Sequence, residues 1–399
     1  MKVGFIGCGG FVSGNHLPNA AMNPNLEISA LCDLNQEQLD HLRLQYKPDY
    51  VTTDMKRVFE DRRIGMVICG TKPDFRLPIM KMAVRYGKPL FVEKPLCVQD
   101  QDILPMLELL RDNPIPFMVG FNRPYSRMMQ EVRKLYRQYK QGSATIIYRI
   151  IGEARLWPKH HYDAVVHGGE STIIHEVTHI FDLINWLTGL APTRVYTAGE
   201  GNLDNVITLT YPDHVTAVII AGDNSNAGFP KERLEINTGY TTIIGNHFTE
   251  LIAICGDGQL IRKTFPYTVA KQTFETDGAR VMLKSVAWRN AVTDEEIRRG
   301  YYYDKQVKVG KGHAEELEYF RQVIEAGQQP ETNIIKAAIA QLTASKAIES
   351  YHCKQALDLA FPELWDREPL KNLLQSQRSS DVPPSQASRT GRAEHVELG

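Results

Sequence analysis

The sequence predicts an α/β protein: an N-terminal doubly wound parallel sheet, followed by a C-terminal α+β domain with a large, mainly antiparallel open sheet. Three observations carry this. Short apolar runs alternate with amphipathic segments over the first 120 residues. A glycine-rich turn, Gly7-Cys8-Gly9-Gly10, joins the first run to the first helix. Beyond about residue 190, apolar runs separated by turns replace the alternation.

The runs at 2–6, 27–32, 65–69, 89–92 and 116–119 read as strands, and 13–22, 36–45, 75–86 and 100–111 as the helices between them. Right-handed crossovers would bring the carboxyl ends of those strands to one edge and make one crevice. Next come a helix at 126–139, a strand at 144–151 and a helix at 171–187. Runs at 194–198, 206–211, 216–221, 233–237, 240–244 and 251–255 suit antiparallel strands, and helices at 312–326 and 332–351 close the fold. The expected domains are 1–121 and 122–374, with a disordered Ser/Pro/Arg/Gln tail at 375–399.

The 399 residues suffice for two or three cores, and a formal net charge of −1 argues against nucleic-acid or anionic-membrane partners. Six scattered cysteines without a C-x-x-C pair fit reduced thiols of a cytoplasmic protein. Glycines interrupt the N-terminal apolar stretch, so no secretory signal is expected, and no run is long enough to span a membrane.

Gly7 permits the tight turn, and Gly9 lets the backbone approach a pyrophosphate at the N-terminus of the next helix. Val12 stands where the dinucleotide fingerprint has Gly or Ala, which predicts looser helix-to-strand packing. Asp33, ending the second strand, can accept both ribose hydroxyls of an adenosine. With no cation at Leu34 or Asn35 to meet a 2′-phosphate, NAD is favoured over NADP. Glu93-Lys94-Pro95 at the end of the 89–92 strand places Lys94 at the crevice, where a neighbouring cationic ring would lower its pKa into the range of acid/base work.

His175-Glu176-Val177-Thr178-His179 matches H-E-x-x-H, so a zinc hydrolase is the rival reading. The metzincin extension fails at Asp182 and Asn185, and Glu200, a conceivable third ligand, follows a strand and turn instead of sitting on a helix. No metal is therefore expected. Alternatively His179 and Asp182, one helical turn apart, form an oriented proton acceptor. A third class is a sugar or nucleotide sensor without turnover.

Together Gly7-Cys-Gly-Gly, Glu93-Lys94-Pro95, Gly120-Phe-Asn122-Arg123, the helix from Gly168-Gly169 through Asp182, Phe229-Pro-Lys231-Glu232-Arg233 and Lys311-Gly-His313-Ala-Glu-Glu316 resemble the Gfo/Idh/MocA oxidoreductases over about residues 1–350. The resemblance implies a Rossmann domain binding NAD and an open-sheet domain often used for oligomer contacts. It also implies hydride transfer at a secondary hydroxyl of a sugar or cyclitol, by a homo-oligomer such as a dimer or tetramer. Carried over by position, Lys94, His179 and Asp182 would be catalytic. Gly7, Gly9, Gly10, Phe11, Val12, Asp33, Thr71, Glu93, Lys94 and Asn122 would hold the cofactor. Lys94, Arg123, Trp157, His175, Glu176 and His179 would meet substrate. Arg155, Lys159, His160, His161 and Tyr162 are further substrate candidates, because aromatic faces with polar neighbours suit a sugar ring; His313 and Glu316 read as a helix start. Two positions depart from the family pattern. Thr71-Lys72-Pro73-Asp74-Phe75-Arg76 replaces Thr-Pro-x-x-x-His, which alters the cofactor edge, and His175 replaces the common Asp, which alters the expected substrate contacts.

Overall fold

The computed structural model describes residues 1–157, 163, 165, 171–269, 272–274, 284, 286, 287, 291, 293 and 308–361. The expected tail at 375–399, the glycine pair Gly168-Gly169, and Lys159, His160, His161 and Tyr162 lie outside them. Contacts divide the described chain into two compact units, Met1–Tyr125 with Gly312–Leu342, and Ser126–Lys311 with Thr343–Ala360.

In the first unit, β1 (Lys2–Ile6), β2 (Glu27–Cys32), β3 (Tyr50–Thr52), β4 (Ile64–Cys69), β5 (Leu90–Val92) and β6 (Phe117–Val119) form a wholly parallel sheet in the order β3-β2-β1-β4-β5-β6. This is the doubly wound arrangement, whose ligands bind outside the carboxyl ends of the strands where the order reverses. Helices α1 (Leu17–Met22), α2 (Gln36–Tyr46), α3 (Met55–Glu60), α4 (Arg76–Arg85) and α5 (Ile103–Asp112) complete the crossovers. The sequence pattern misses β3, which is short and only half-buried, and α3, a six-residue helix started by Asp54, whose carboxylate accepts from the Lys56 amide.

The helix expected at 13–22 begins instead as a widened π turn, Val12–His16, before α1. Pro18 has no N–H for the carbonyl of Gly14, and the Leu17 amide reaches back five residues to Val12.

Helix α8 (His313–Glu325), after Arg127–Tyr139 (α6) and Thr178–Thr188 (α7) in chain order, belongs to this unit despite its distance in sequence. Leu317 and Phe320 enter the same apolar core as Phe5, Leu17 and Phe91. Thr332 ties the following segment down: its carbonyl accepts from the Val119 amide at 3.0 Å, and its hydroxyl lies 2.9 Å from that of Tyr125. The next helix, α9 (Ile334–Cys353), begins in the first unit and ends in the second.

The second unit is built on a nine-stranded mixed sheet. Its strands are β7 (Ala144–Ile151), β8 (Arg194–Gly199), β9 (Asn205–Tyr211), β10 (Val215–Gly222), β11 (Glu232–Thr238), β12 (Thr241–Asn246), β13 (Glu250–Ile254), β14 (Leu260–Thr264) and β18 (Leu357–Asp358). Three short strands, β15 (Tyr267–Val269), β16 (Gln272–Phe274) and β17 (Lys308–Val309), make a separate small sheet. The large sheet runs β14-β13-β12-β11-β7-β10-β9-β8-β18, antiparallel except where β7 and β10 pair in parallel. Alternation along β7, β9 and β11 buries one face, and α6 packs on β11, β12 and β13. β14 escapes the sequence pattern because, as an edge strand, it buries none of its residues.

No helix among the described residues is long and apolar enough to cross a membrane. Five cysteines are buried free thiols; Cys353 is a free thiol at the surface.

Candidate functional site

In the first unit the chain leaves β1 through Gly7, whose φ of +79° is a left-handed conformation, and a Cβ there would meet the Thr71 amide nitrogen at 2.8 Å. The Gly7 amide donates to the Cys32 carbonyl at 2.8 Å, which draws the turn to the end of β2. There the Asp33 carboxylate accepts from the Cys8 amide at 2.7 Å and the Asn35 amide at 2.9 Å. Gly9 and Gly10 are exposed, and a Cβ at either would meet nothing within 4 Å. The result is an open backbone cradle beside a carboxylate at the sheet's carboxyl edge. It fits the pyrophosphate and adenosine ribose of a dinucleotide.

Val12 corrects one expectation. It is buried, and the space comes from across the turn: a Cβ on Gly70 would lie 2.1 Å from Val12 Cγ2. The missing fingerprint glycine is compensated by another glycine, so the packing is close. Thr71, half-buried after β4, holds its hydroxyl 3.3 Å from the Cys69 sulfur. Phe11 is 44 % exposed, with its ring edge-on to His16 and His313.

β5 delivers Glu93 and the half-buried Lys94 to the same edge. Glu93 is turned inward: its Oε1 lies 2.5 Å from Nε2 of the fully buried His16. Gly120 makes room for it, since a Cβ there would meet Glu93 Oε1 at 2.9 Å. Asn122 and Arg123 are also buried, and Asn122 Nδ2 lies 3.3 Å from His313 Nε2. His313 Nδ1 in turn lies 3.4 Å from Oε1 of the fully buried Glu316. Burial first, then the charges of Glu93 and Glu315, push the Glu316 carboxyl well above the usual carboxylate range.

In the second unit His175 and Glu176 occupy a π turn, Ile173–Val177, and His179 and Asp182 lie on α7. The Thr178 amide donates to the Ile173 carbonyl five residues back, and the Thr178 hydroxyl donates to the Ile174 carbonyl at 2.9 Å. The α-helical spacing assumed for a two-histidine metal face is therefore not the local geometry. Among the described residues no three His, Cys, Asp or Glu side chains are grouped to hold a metal ion. His179 and Asp182 are buried one helical turn apart; His175 is half-buried, and Glu176 accepts from Lys231 Nζ at 3.1 Å. Trp157 ends a short 3-10 turn, Ala154–Leu156, within which Arg155 pairs with Glu153.

Residues 1–121 match the family model described as the Gfo/Idh/MocA oxidoreductase family, NAD-binding Rossmann fold. The myo-inositol 2-dehydrogenase of Thermotoga maritima is 22% identical, over 90% of this chain and 98% of its own length. The inositol 2-dehydrogenase of Rhizobium meliloti is likewise 22% identical, over 90% of this chain and 99% of its own length. Over residues 1–121 the chain carries the NAD-binding Rossmann fold of the Gfo/Idh/MocA oxidoreductase family. The fold agrees with solved structures. The scyllo-inositol dehydrogenase of Lactobacillus casei with NAD(H) and scyllo-inositol superposes with a TM-score of 0.68 at 16% identity, covering 90% of this chain and 98% of that one. An Agrobacterium radiobacter oxidoreductase in complex with NAD+, L-tartaric acid and magnesium gives 0.70 at 16% identity, with the same coverage.

Within this Gfo/Idh/MocA-type Rossmann domain the departure at Arg76 has a structural meaning. Its guanidinium is buried and donates to the Glu93 carbonyl at 2.6 Å, tying the end of β4 to the Glu93-Lys94-Pro95 segment. His16, Arg76, His313 and Glu316 are the residues that sequence reasoning passed over as functional. The signal for Arg76 was the departure itself. For the others it was four titratable groups, with Glu93, in segments of otherwise apolar spacing, and only the fold brings them together.

Proposed function

We propose that this chain is an NAD-dependent dehydrogenase acting on a secondary hydroxyl of a sugar, sugar derivative or cyclitol. The observation that carries the cofactor half is Asp33: a carboxylate held by the glycine-turn amide, at the end of β2, where a 2′-hydroxyl is accepted and a 2′-phosphate repelled. The substrate half is supported by the inositol dehydrogenases among the relatives that span nearly the whole chain.

In this reading the glycine cradle and Asp33 hold the dinucleotide, and Thr71, Glu93 and Asn122 shape its nicotinamide end. The bound nicotinamide supplies the hydride acceptor. His179 takes the hydroxyl proton, Asp182 fixes the imidazole, and the charge of Lys94 offsets the developing oxyanion. Arg123, Trp157, His175 and Glu176 orient the remaining hydroxyls. Glu93 acts through the backbone: with its carboxylate on His16 and its carbonyl on Arg76, it sets where Lys94 begins.

A homo-oligomer, dimer or tetramer, would use the solvent face of the large sheet, where Tyr196, Val206, Ile220, Ile254 and Leu260 are exposed. The test is NADH formation from NAD+ with inositols, free sugars, glucosides and sugar phosphates. Lys94→Ala is expected to lower kcat about 100-fold or more while the NADH dissociation constant stays within about threefold, the signature of a group used in the transition state. Silence across the panel in folded protein, or equal loss of turnover and NADH binding in Lys94→Ala, would overturn it.

A further inference from the structure

The second unit contains a cavity of about 550 Å³ whose lining carries more carboxylates than cations. It forms because β7 and β10 run in parallel, so their carboxyl ends, Ile151 and Gly222, lie side by side, with the β8–β9 turn next to them. Glu153 comes from the first end, Asp223 from the second, and Glu200 and Asp204 from the turn. Two glycines make the arrangement possible. A Cβ on Gly152 would lie 2.3 Å from Asp223 Oδ1, and one on Gly222 would lie 2.0 Å from Asp204 Oδ1. The Asp204 carboxylate also receives the Asp223 amide at 3.2 Å.

The local cations are already engaged. Arg155 pairs with Glu153, and Lys231 with Glu176. Glu200, Asp204 and Asp223 form no ion pair among the described residues. Asp223 is only 6 % exposed, yet no described group donates a hydrogen bond to its carboxylate. Burial of an unmatched acid drives it to keep its proton: burial first, against the opposing charge of Lys231 and with the added charges of Glu176 and Asp204, pushes Asp223 up to about 7. A buried carboxylate without a donor, facing a cavity in the size range of small-molecule sites, is a binding group waiting for a cationic partner. The described acids are not grouped as metal ligands, and the cavity is larger than an ion needs.

We propose that this cavity receives the ammonium group of an amino-substituted sugar or cyclitol, with Asp223 as its ion-pair partner and Asp204 beside it. The sugar or cyclitol part rests on the function proposed above; the preference for a cation does not. On binding, the neutral carboxyl of Asp223 loses its proton to solvent and the carboxylate pairs with the ammonium, so one positive charge enters and one proton leaves.

The experiment is calorimetric titration of the full chain at pH 6.5 with two matched pairs, glucosamine against glucose and scyllo-inosamine against scyllo-inositol, each in two buffers of different ionisation enthalpy. The amine member of at least one pair is expected to bind roughly 10-fold or more tightly than its alcohol, the value of a charged hydrogen bond. It should release roughly three quarters of a proton, the protonated fraction of a group titrating near 7. Asp223→Asn, shown to be folded by its melting curve, should abolish both the preference and the proton release.

Equal binding of amine and alcohol, binding of neither, or a preference that survives Asp223→Asn would overturn the proposal. So would Mg2+ alone causing the same Asp223-dependent proton release while amine and alcohol bind alike. The two readings fail separately. Turnover of neutral cyclitols without an amine preference would leave the dehydrogenase standing and remove the ammonium pocket; an Asp223-dependent amine preference without turnover of any substrate would do the reverse.

Discussion

Replacing Asp33 with Ala should relax the cofactor preference and weaken NADH binding by a predictable amount. Its two oxygens each accept one backbone amide, from Cys8 and Asn35, and each keeps a lone pair for a ribose hydroxyl. Hydrogen bonds to a charged group contribute about 1.5–3 kcal/mol. Losing one net ribose contact then raises the NADH dissociation constant about 10- to 150-fold. The loss for NADPH is smaller, because the carboxylate that would repel a 2′-phosphate goes too, so the NADPH-to-NADH ratio of dissociation constants should fall severalfold or more. Asp33→Asn keeps an acceptor near the Cys8 amide and separates disorder of the turn from loss of charge. The assay is NADH and NADPH fluorescence titration at fixed ionic strength on the three proteins. Wild-type protein that binds NADPH as tightly as NADH, or an unchanged ratio in Asp33→Ala, would refute the reasoning.

His16→Leu should destabilise the first unit by about 3–5 kcal/mol, because it strands the buried Glu93 carboxylate, and adding Glu93→Gln should recover much of that; calorimetric unfolding would show it. Gly70→Ala should cost about 1–3 kcal/mol through overlap with Val12, and Val12→Ala in the same chain should relieve it; failure of that rescue in thermal melts would show that the two do not share the space. His247, in the turn after β12, is held at about 3 by burial and then by the charge of Lys311. The unfolded chain binds its proton near 6.5, so its contribution is complete above that pH and is lost as pH falls from 6.5 towards 3, at no more than about 1.4 kcal/mol per pH unit. His247→Gln should flatten the stability profile in that window, measured by urea unfolding.

Much of the architecture was legible because it follows from local periodicity. The apolar runs at 2–6, 27–32 and 144–151 coincide with β1, β2 and β7, since burial on a sheet demands that spacing wherever the chain goes afterwards. The glycine turn was legible for a similar reason: φ of +79° at Gly7 and the open backbone at Gly9 and Gly10 are local needs that one residue type meets. β14 was not, because an edge strand that buries nothing carries no alternation.

By itself, then, the sequence determined the parallel sheet, its phosphate-type turn and the acid at the end of β2, because each depends on neighbours within a few residues. Only the tertiary structure decided that Gly70 admits Val12, that Arg76 grips the Glu93 carbonyl, and that His313 and Glu316 return from the far end of the chain to lie near His16 and Glu93. It also decided that Asp223 is buried without a donor beside Asp204. The reason is physical: a hydrogen bond or a desolvation cost depends on which atoms lie within a few ångströms, and residues 200 or more positions apart become neighbours only through the packing of the whole unit.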